Sequence, residues 1–83
     1  MPYIKQKDRQ KMNMVVDIMR YQGVKADGKL NYILYKFCKD DVEPGYNNYK
    51  NFIGELRQCA TEIERRILGP YEDMAIERNG DVE

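Results

Sequence analysis

The chain has 83 residues, with 14 Lys/Arg against 14 Asp/Glu, no His, no Trp and two Cys. A chain of this length forms one small domain and buries only about 60% of the surface it exposes when unfolded, so its own core is marginal and homo-oligomerisation is expected. The lack of His removes the commonest general acid/base and metal ligand, and with them every Ser-His or Cys-His arrangement.

Cys38 and Cys59 lie far apart without Cys-x-x-Cys spacing, which argues against a zinc or redox site and for buried free thiols in a reducing compartment. The opening Met1-Pro2-Tyr3-Ile4-Lys5 lacks the apolar run of a signal peptide, and no stretch approaches the roughly 20 apolar residues of a membrane span. The expectation is a cytoplasmic protein without a membrane partner. Charge is segregated: residues 1–36 carry eight Lys/Arg and three Asp, a net of +5, and the remainder carries −5. Such asymmetry steers one end toward a polyanion, or lets basic and acidic surfaces of neighbouring elements or subunits meet.

Met12, Val15, Val16 and Met19 recur at i, i+3, i+4 and i+7, predicting a first helix over about 7–22 that stops at Gly23. Leu30, Ile33, Leu34, Phe37 and Cys38 repeat the spacing behind Asp27, a ready N-cap, giving a second helix over about 28–39. The acidic turn Asp40-Asp41-Val42-Glu43-Pro44-Gly45 then breaks the pattern. Tyr49, Phe52, Ile53, Leu56, Cys59, Ala60, Ile63 and Ile67 form one face of a third helix over about 47–68. Its other face carries Glu55, Arg57, Gln58, Glu62, Arg65 and Arg66, with Glu62 and Arg66 set to pair at i, i+4. Gly69-Pro70 is expected to stop or kink this helix and to open a short fourth helix over about 70–78, whose acidic Glu72-Asp73 start suits the helix dipole. Asn79-Gly80 ends it. With no β alternation, the class is all-α: a single domain over 1–83, built as a small helical bundle of three main helices plus the short C-terminal one.

Carboxylates are the only plausible catalytic groups, but Glu55, Glu62 and Glu64 line a single helix and no second helix offers facing acids. Ion pairing with Arg65 and Arg66 explains them better, so no enzyme, no metal and no cofactor are expected. Lys5, Lys7, Arg9 and Lys11 could neutralise phosphates, yet their spacing spreads charge around a helix and the pI is about 6.3. Seven Tyr and two Phe are many for this length. Tyr49, Phe52 and Phe37 fit the core, whereas Tyr32 and Tyr35 lie beside the main stripe of the second helix and suit a protein interface or, next to Arg, a stacking platform for bases.

The segments Met1-Pro2-Tyr3-Ile4-Lys5 with Asp8-Arg9, Leu30-Asn31-Tyr32-Ile33, Ile53-Gly54 with Leu56, Glu62 with Arg65-Arg66, and Pro70-Tyr71-Glu72-Asp73 with Asn79-Gly80-Asp81-Val82 span nearly the whole chain. Together they resemble a family of small uncharacterised proteins encoded by tailed phages and prophages. The pattern departs at Arg57 and Ala60, where that family carries an acidic residue and a Lys. The resemblance implies a phage-encoded accessory protein in the host cytoplasm and brings no settled activity with it. Together with the physics it directs attention to Tyr3, Arg9, Asn31, Tyr32, Tyr35, Glu62, Arg65, Arg66, Tyr71 and Glu72 as a binding surface. The expected role is non-enzymatic binding or inhibition of a host protein as a homo-oligomer. Two other classes stand beside it: sequestration of a small nucleotide signal as an anti-defence protein, with Arg65 and Arg66 on phosphate and Tyr on the base, and nucleic-acid binding through the basic N-terminal segment.

Overall fold

A helix satisfies its backbone hydrogen bonds internally except at its ends, so end signals decide where each one begins and stops. The computed structural model describes residues 4–82, and in it the chain is all-α, with no strand among the described residues. It comprises α1 (Gln6–Tyr21), α2 (Gly28–Asp41), α3 (Tyr46–Ile63), a π turn (Glu64–Leu68) and α4 (Gly69–Asn79). These fall into two compact units, one ending at Asp40 and the other beginning at Asp41.

In the first unit the end signals act as the sequence implies. The backbone N–H of Gly23 bonds to the Arg20 carbonyl at 3.0 Å and that of Val24 to the Met19 carbonyl at 2.9 Å, closing α1 with a Schellman cap. Gly23 takes φ +73°, the left-handed conformation such a cap requires. Val24, one residue beyond, is half-buried together with Met19 and Leu30, and these line a shallow concavity with Val16, Arg20, Lys25 and Ala26. α2 starts on the Asp27 carboxylate, which accepts the Lys29 N–H at 2.9 Å, while the Asp27 carbonyl accepts the Asn31 N–H at 3.2 Å. Exposed ion pairs follow the helical repeat: Arg20 with Asp17 at 2.8 Å and Lys36 with Asp40 at 2.5 Å.

In the second unit the expected short C-terminal helix is present as α4, with Pro70 in its first turn, but the chain does not leave helical geometry ahead of it. The helix neither stops nor restarts there; α3, the π turn and α4 follow one another without a break from Tyr46 to Asn79. Proline is costly inside a helix because its ring meets the carbonyl four residues earlier and it has no N–H to give. Here the turn ahead of it is widened: the Gly69 N–H bonds back to Glu64, five residues earlier, which draws the preceding carbonyls away from the ring. Gly69 suits that wide turn, since a Cβ there would sit 3.1 Å from the Glu64 carbonyl oxygen. With no free helix start at this point, Glu72 and Asp73 have no N-terminal dipole to complement. Gly80, at φ +82°, closes α4 by donating its N–H to the Ile76 carbonyl at 2.7 Å.

No described residue is buried. Tyr49 and Phe37, expected in the core, are exposed, and Phe52 is half-buried. Both cysteines are free thiols, Cys38 half-buried and Cys59 exposed, so the expected burial of Cys59 does not occur. The physical reason is common to all of them: periodicity sets which face of a helix is apolar, but burial needs a second surface laid against it. No described helix is long and apolar enough to cross a membrane.

Asp27→Ala should lower stability by about 1 kcal/mol through loss of the cap, and Gly23→Ala by about 1–2 kcal/mol through left-handed strain, both measured by urea denaturation followed by circular dichroism. Pro70→Ala should act in the other direction. It restores a backbone donor and is expected to stabilise by about 1–3 kcal/mol, with the π turn relaxing toward α geometry in amide hydrogen exchange at 66–72.

Candidate binding surface

On α2 of the first unit, Asn31, Tyr32 and Tyr35 occupy one exposed side. Asn31 and Tyr35 are one helical turn apart, and Tyr32 and Tyr35 are 64% and 69% exposed, so two phenol rings stand beside a side-chain amide. The Asn31 amide has no partner among the described residues; only its backbone N–H is engaged. Its place early in the helix therefore satisfies no backbone group and leaves both amide donors and the acceptor available to a partner. Arg9 lies on α1 and is exposed, as are Lys5, Lys7 and Lys11, and none of the four forms an ion pair among the described residues. Tyr3 lies outside the described residues.

In the second unit the expected Glu62–Arg66 pair does not form. Glu62 is held instead by Arg65, whose Nη2 lies 3.1 Å and 3.4 Å from its two carboxylate oxygens. The i, i+4 geometry that would bring Arg66 over Glu62 belongs to a regular α-helix, and the π turn beginning at Glu64 changes the angular step between them. Glu62 is well sheltered, its side chain 13% exposed, while Arg65 remains 66% exposed. Arg66 has no ion pair among the described residues. Tyr71 is 62% exposed, because the helix continues through Pro70 and does not fold it back onto α3. Glu72 is exposed beside it on α4.

A further feature of this unit escaped the reading of single residues. Tyr46, Tyr49, Lys50, Ile53, Gly54 and Arg57 line an open concavity along α3, with the Lys50 ammonium 5.9 Å from the centre of the Tyr46 ring. The missing side chain of Gly54 helps to hollow it, since a Cβ there would meet nothing within 4 Å. The signal that could have located it is the recurrence 46, 49, 50, 53, 54, 57, which is one continuous helical face. Chemically the concavity offers two cations and two aromatic rings at the edge of an apolar floor. Among the described residues, no three Cys, Asp or Glu side chains converge as a metal site would require.

A family model for a domain of unknown function, DUF6899, matches residues 1–82. The chain belongs to the DUF6899 family. No curated protein matches it, and no solved structure does. The match covers both units of the DUF6899 chain, so the two Tyr-bearing faces and the concavity on α3 all lie within the family domain.

Because Arg65 is mostly in water, its pair with Glu62 should contribute little. Arg65→Gln is expected to change unfolding stability by less than about 1 kcal/mol in urea titrations, leaving the arginine open to test for binding without loss of fold.

Proposed function

We propose that this DUF6899 chain is a non-enzymatic binding protein, encoded by a phage to engage or inhibit a host protein, which completes the burial of its helical faces on partner surfaces. The observation that carries this reading is the absence of any buried side chain among the described residues, alongside outward-facing Tyr32, Tyr35 and Tyr71. Aromatic and aliphatic side chains left this open are held in water at a cost that a partner surface removes. Tyr is well suited to that use, with a large apolar ring, a polar tip and few rotatable bonds to immobilise. The phage origin rests on the sequence resemblance, and host binding is the use it would give such a surface.

The nucleotide-sequestering alternative asks Arg65 and Arg66 to hold phosphate together, and the negative charge of the Glu62 carboxylate beside Arg65 disfavours a phosphate there. Nucleic-acid binding draws support from Lys5, Lys7, Arg9 and Lys11, exposed and without an ion pair among the described residues, and predicts an affinity that falls steeply with salt.

Native mass spectrometry of protein purified at low salt from host cells tests the three together. The expected spectrum contains a stoichiometric host protein that is lost from a Tyr32→Ser/Tyr35→Ser variant of unchanged helix content. Retained mass of nucleotide size, or of nucleic acid, with no host protein would overturn the reading.

A further inference from the structure

The second unit places an unusual demand on its surroundings. It is a single unbroken helix of 18, 5 and 11 residues in succession, rising about 51 Å, and a lone helix has no second face with which to cover its own apolar stripe. Along that stripe Tyr46, Tyr49, Ile53, Leu56, Ala60, Ile63 and Ile67 follow one another at strictly alternating steps of three and four. This is the seam of a two-stranded coiled coil over three heptads. Every one of these residues is exposed, from 37% at Leu56 to 81% at Tyr46.

The flanks of the seam identify its occupant. Lys50, Arg57 and Glu64 succeed one another at seven-residue steps along one edge, and none has an ion-pair partner among the described residues. Lys50 lies toward the start of the seam, Arg57 at its middle and Glu64 toward its end. A second copy laid antiparallel places Lys50 of each chain beside the partner's Glu64, at both ends of the interface, while Arg57 falls at mid-seam beside its own symmetry mate, the one like-charge contact of the arrangement. In the same register Tyr49 meets the partner's Ile67, Ile53 meets the partner's Ile63, and Leu56 meets the partner's Ala60, so the smallest seam residue faces a large one. A parallel pair would oppose Ala60 to itself and leave a gap, and its flanking contacts would set Arg57 against the partner's Phe52 and Glu64 against the partner's Cys59, with no opposite charge for either.

We propose that α3 pairs antiparallel with α3 of a second copy of this chain through the Tyr46–Ile67 seam, making the homodimer the form in which the protein acts. The proposal deepens the partner-binding reading above by assigning this stripe to self-association, which leaves the Tyr32/Tyr35 face for other proteins. Cys59 gives the geometry a direct readout. It sits on the opposite flank at mid-seam, next to its own symmetry mate in an antiparallel pair and across the interface from it in a parallel one.

The test uses the full chain carrying Cys38→Ser, so that Cys59 is the sole thiol. Analytical ultracentrifugation should show a dimer, and a short bis-maleimide should link Cys59 to Cys59 in high yield. Leu56→Asp should raise the dimer dissociation constant by about tenfold or more. A variant that leaves the apolar seam intact guards against misfolding: Glu64→Lys should weaken dimerisation alone, and mixing it with Lys50→Glu/Arg57→Glu should restore it as a heterodimer. A monomer at about 100 μM, well above the micromolar range of ordinary specific association, would overturn the proposal while leaving host binding standing. A dimer that fails to link through Cys59, or that ignores the charge swap, would overturn the antiparallel seam and keep self-association. A cross-linked dimer that captures no host protein would support the seam and count against the host-binding reading.

Discussion

A helix can satisfy its own backbone but cannot cover its own apolar stripe, and most of what distinguishes this chain depends on that limit. Helices as short as α1 and α2, of 16 and 14 residues, are marginal in water on propensity alone, so their persistence depends on what packs against them. In the first unit the return from α1 to α2 supplies part of the cover, drawing Met19, Val24 and Leu30 into half-burial around the Schellman cap. The second unit has no return of its own. Its 18-residue α3 runs on through the π turn into α4, and the cover for its stripe has to come from outside the unit.

How much of this was legible in the sequence follows from the range of each interaction. Asp27 and Gly23 were readable because a cap is decided by three or four consecutive residues: a short carboxylate before the first turn, or a residue that tolerates a left-handed backbone after the last. The faces of the helices were readable for the same reason, since periodicity is local. Pro70 was legible as the opening of the short C-terminal helix but not as a point the chain passes without stopping, because that depends on the turn before it. One wide turn, with Gly69 bonding to Glu64, turned a helix stop into a helix interior. The error in pairing Glu62 with Arg66 has the same root, because a change of step at Glu64 moves everything beyond it around the helix axis. Burial was the least legible quantity. Phe37, Tyr49 and Cys59 lie on apolar faces as predicted, yet an apolar face becomes a core only when something is set against it.

Charge adds a second constraint that acts at longer range. The first unit holds nine Lys/Arg against four Asp/Glu, and the second five against ten, so a chain of zero net charge is built from halves of +5 and −5. With the net at zero, no overall repulsion holds copies apart, and opposed halves attract over about a Debye length, roughly 8–10 Å at moderate salt. Such a field accelerates encounter without fixing a geometry. Geometry has to come from short-range features, and along α3 these are the alternating seam and the placing of Lys50 and Glu64 at opposite ends of its edge.

The π turn then serves a purpose beyond accommodating proline. Had α3 continued in regular α geometry, the seam positions after Ile67 would have fallen on Pro70, Met74 and Glu77, putting the proline on the apolar line. An extra residue in the turn advances the register by one, so the stripe passes instead to Tyr71, Ala75 and Arg78, and Pro70 turns off it. Ala75 is the one half-buried residue of α4 other than Gly69, consistent with a stripe that carries on along that side. The segment Glu64–Leu68 thus reconciles two demands that a regular helix could not meet together: a proline inside the helix, and an apolar face that reaches Tyr71. That places Tyr71 in line with the α3 seam while its ring stays open to solvent, at the point where a surface used for pairing would pass into one free for another partner.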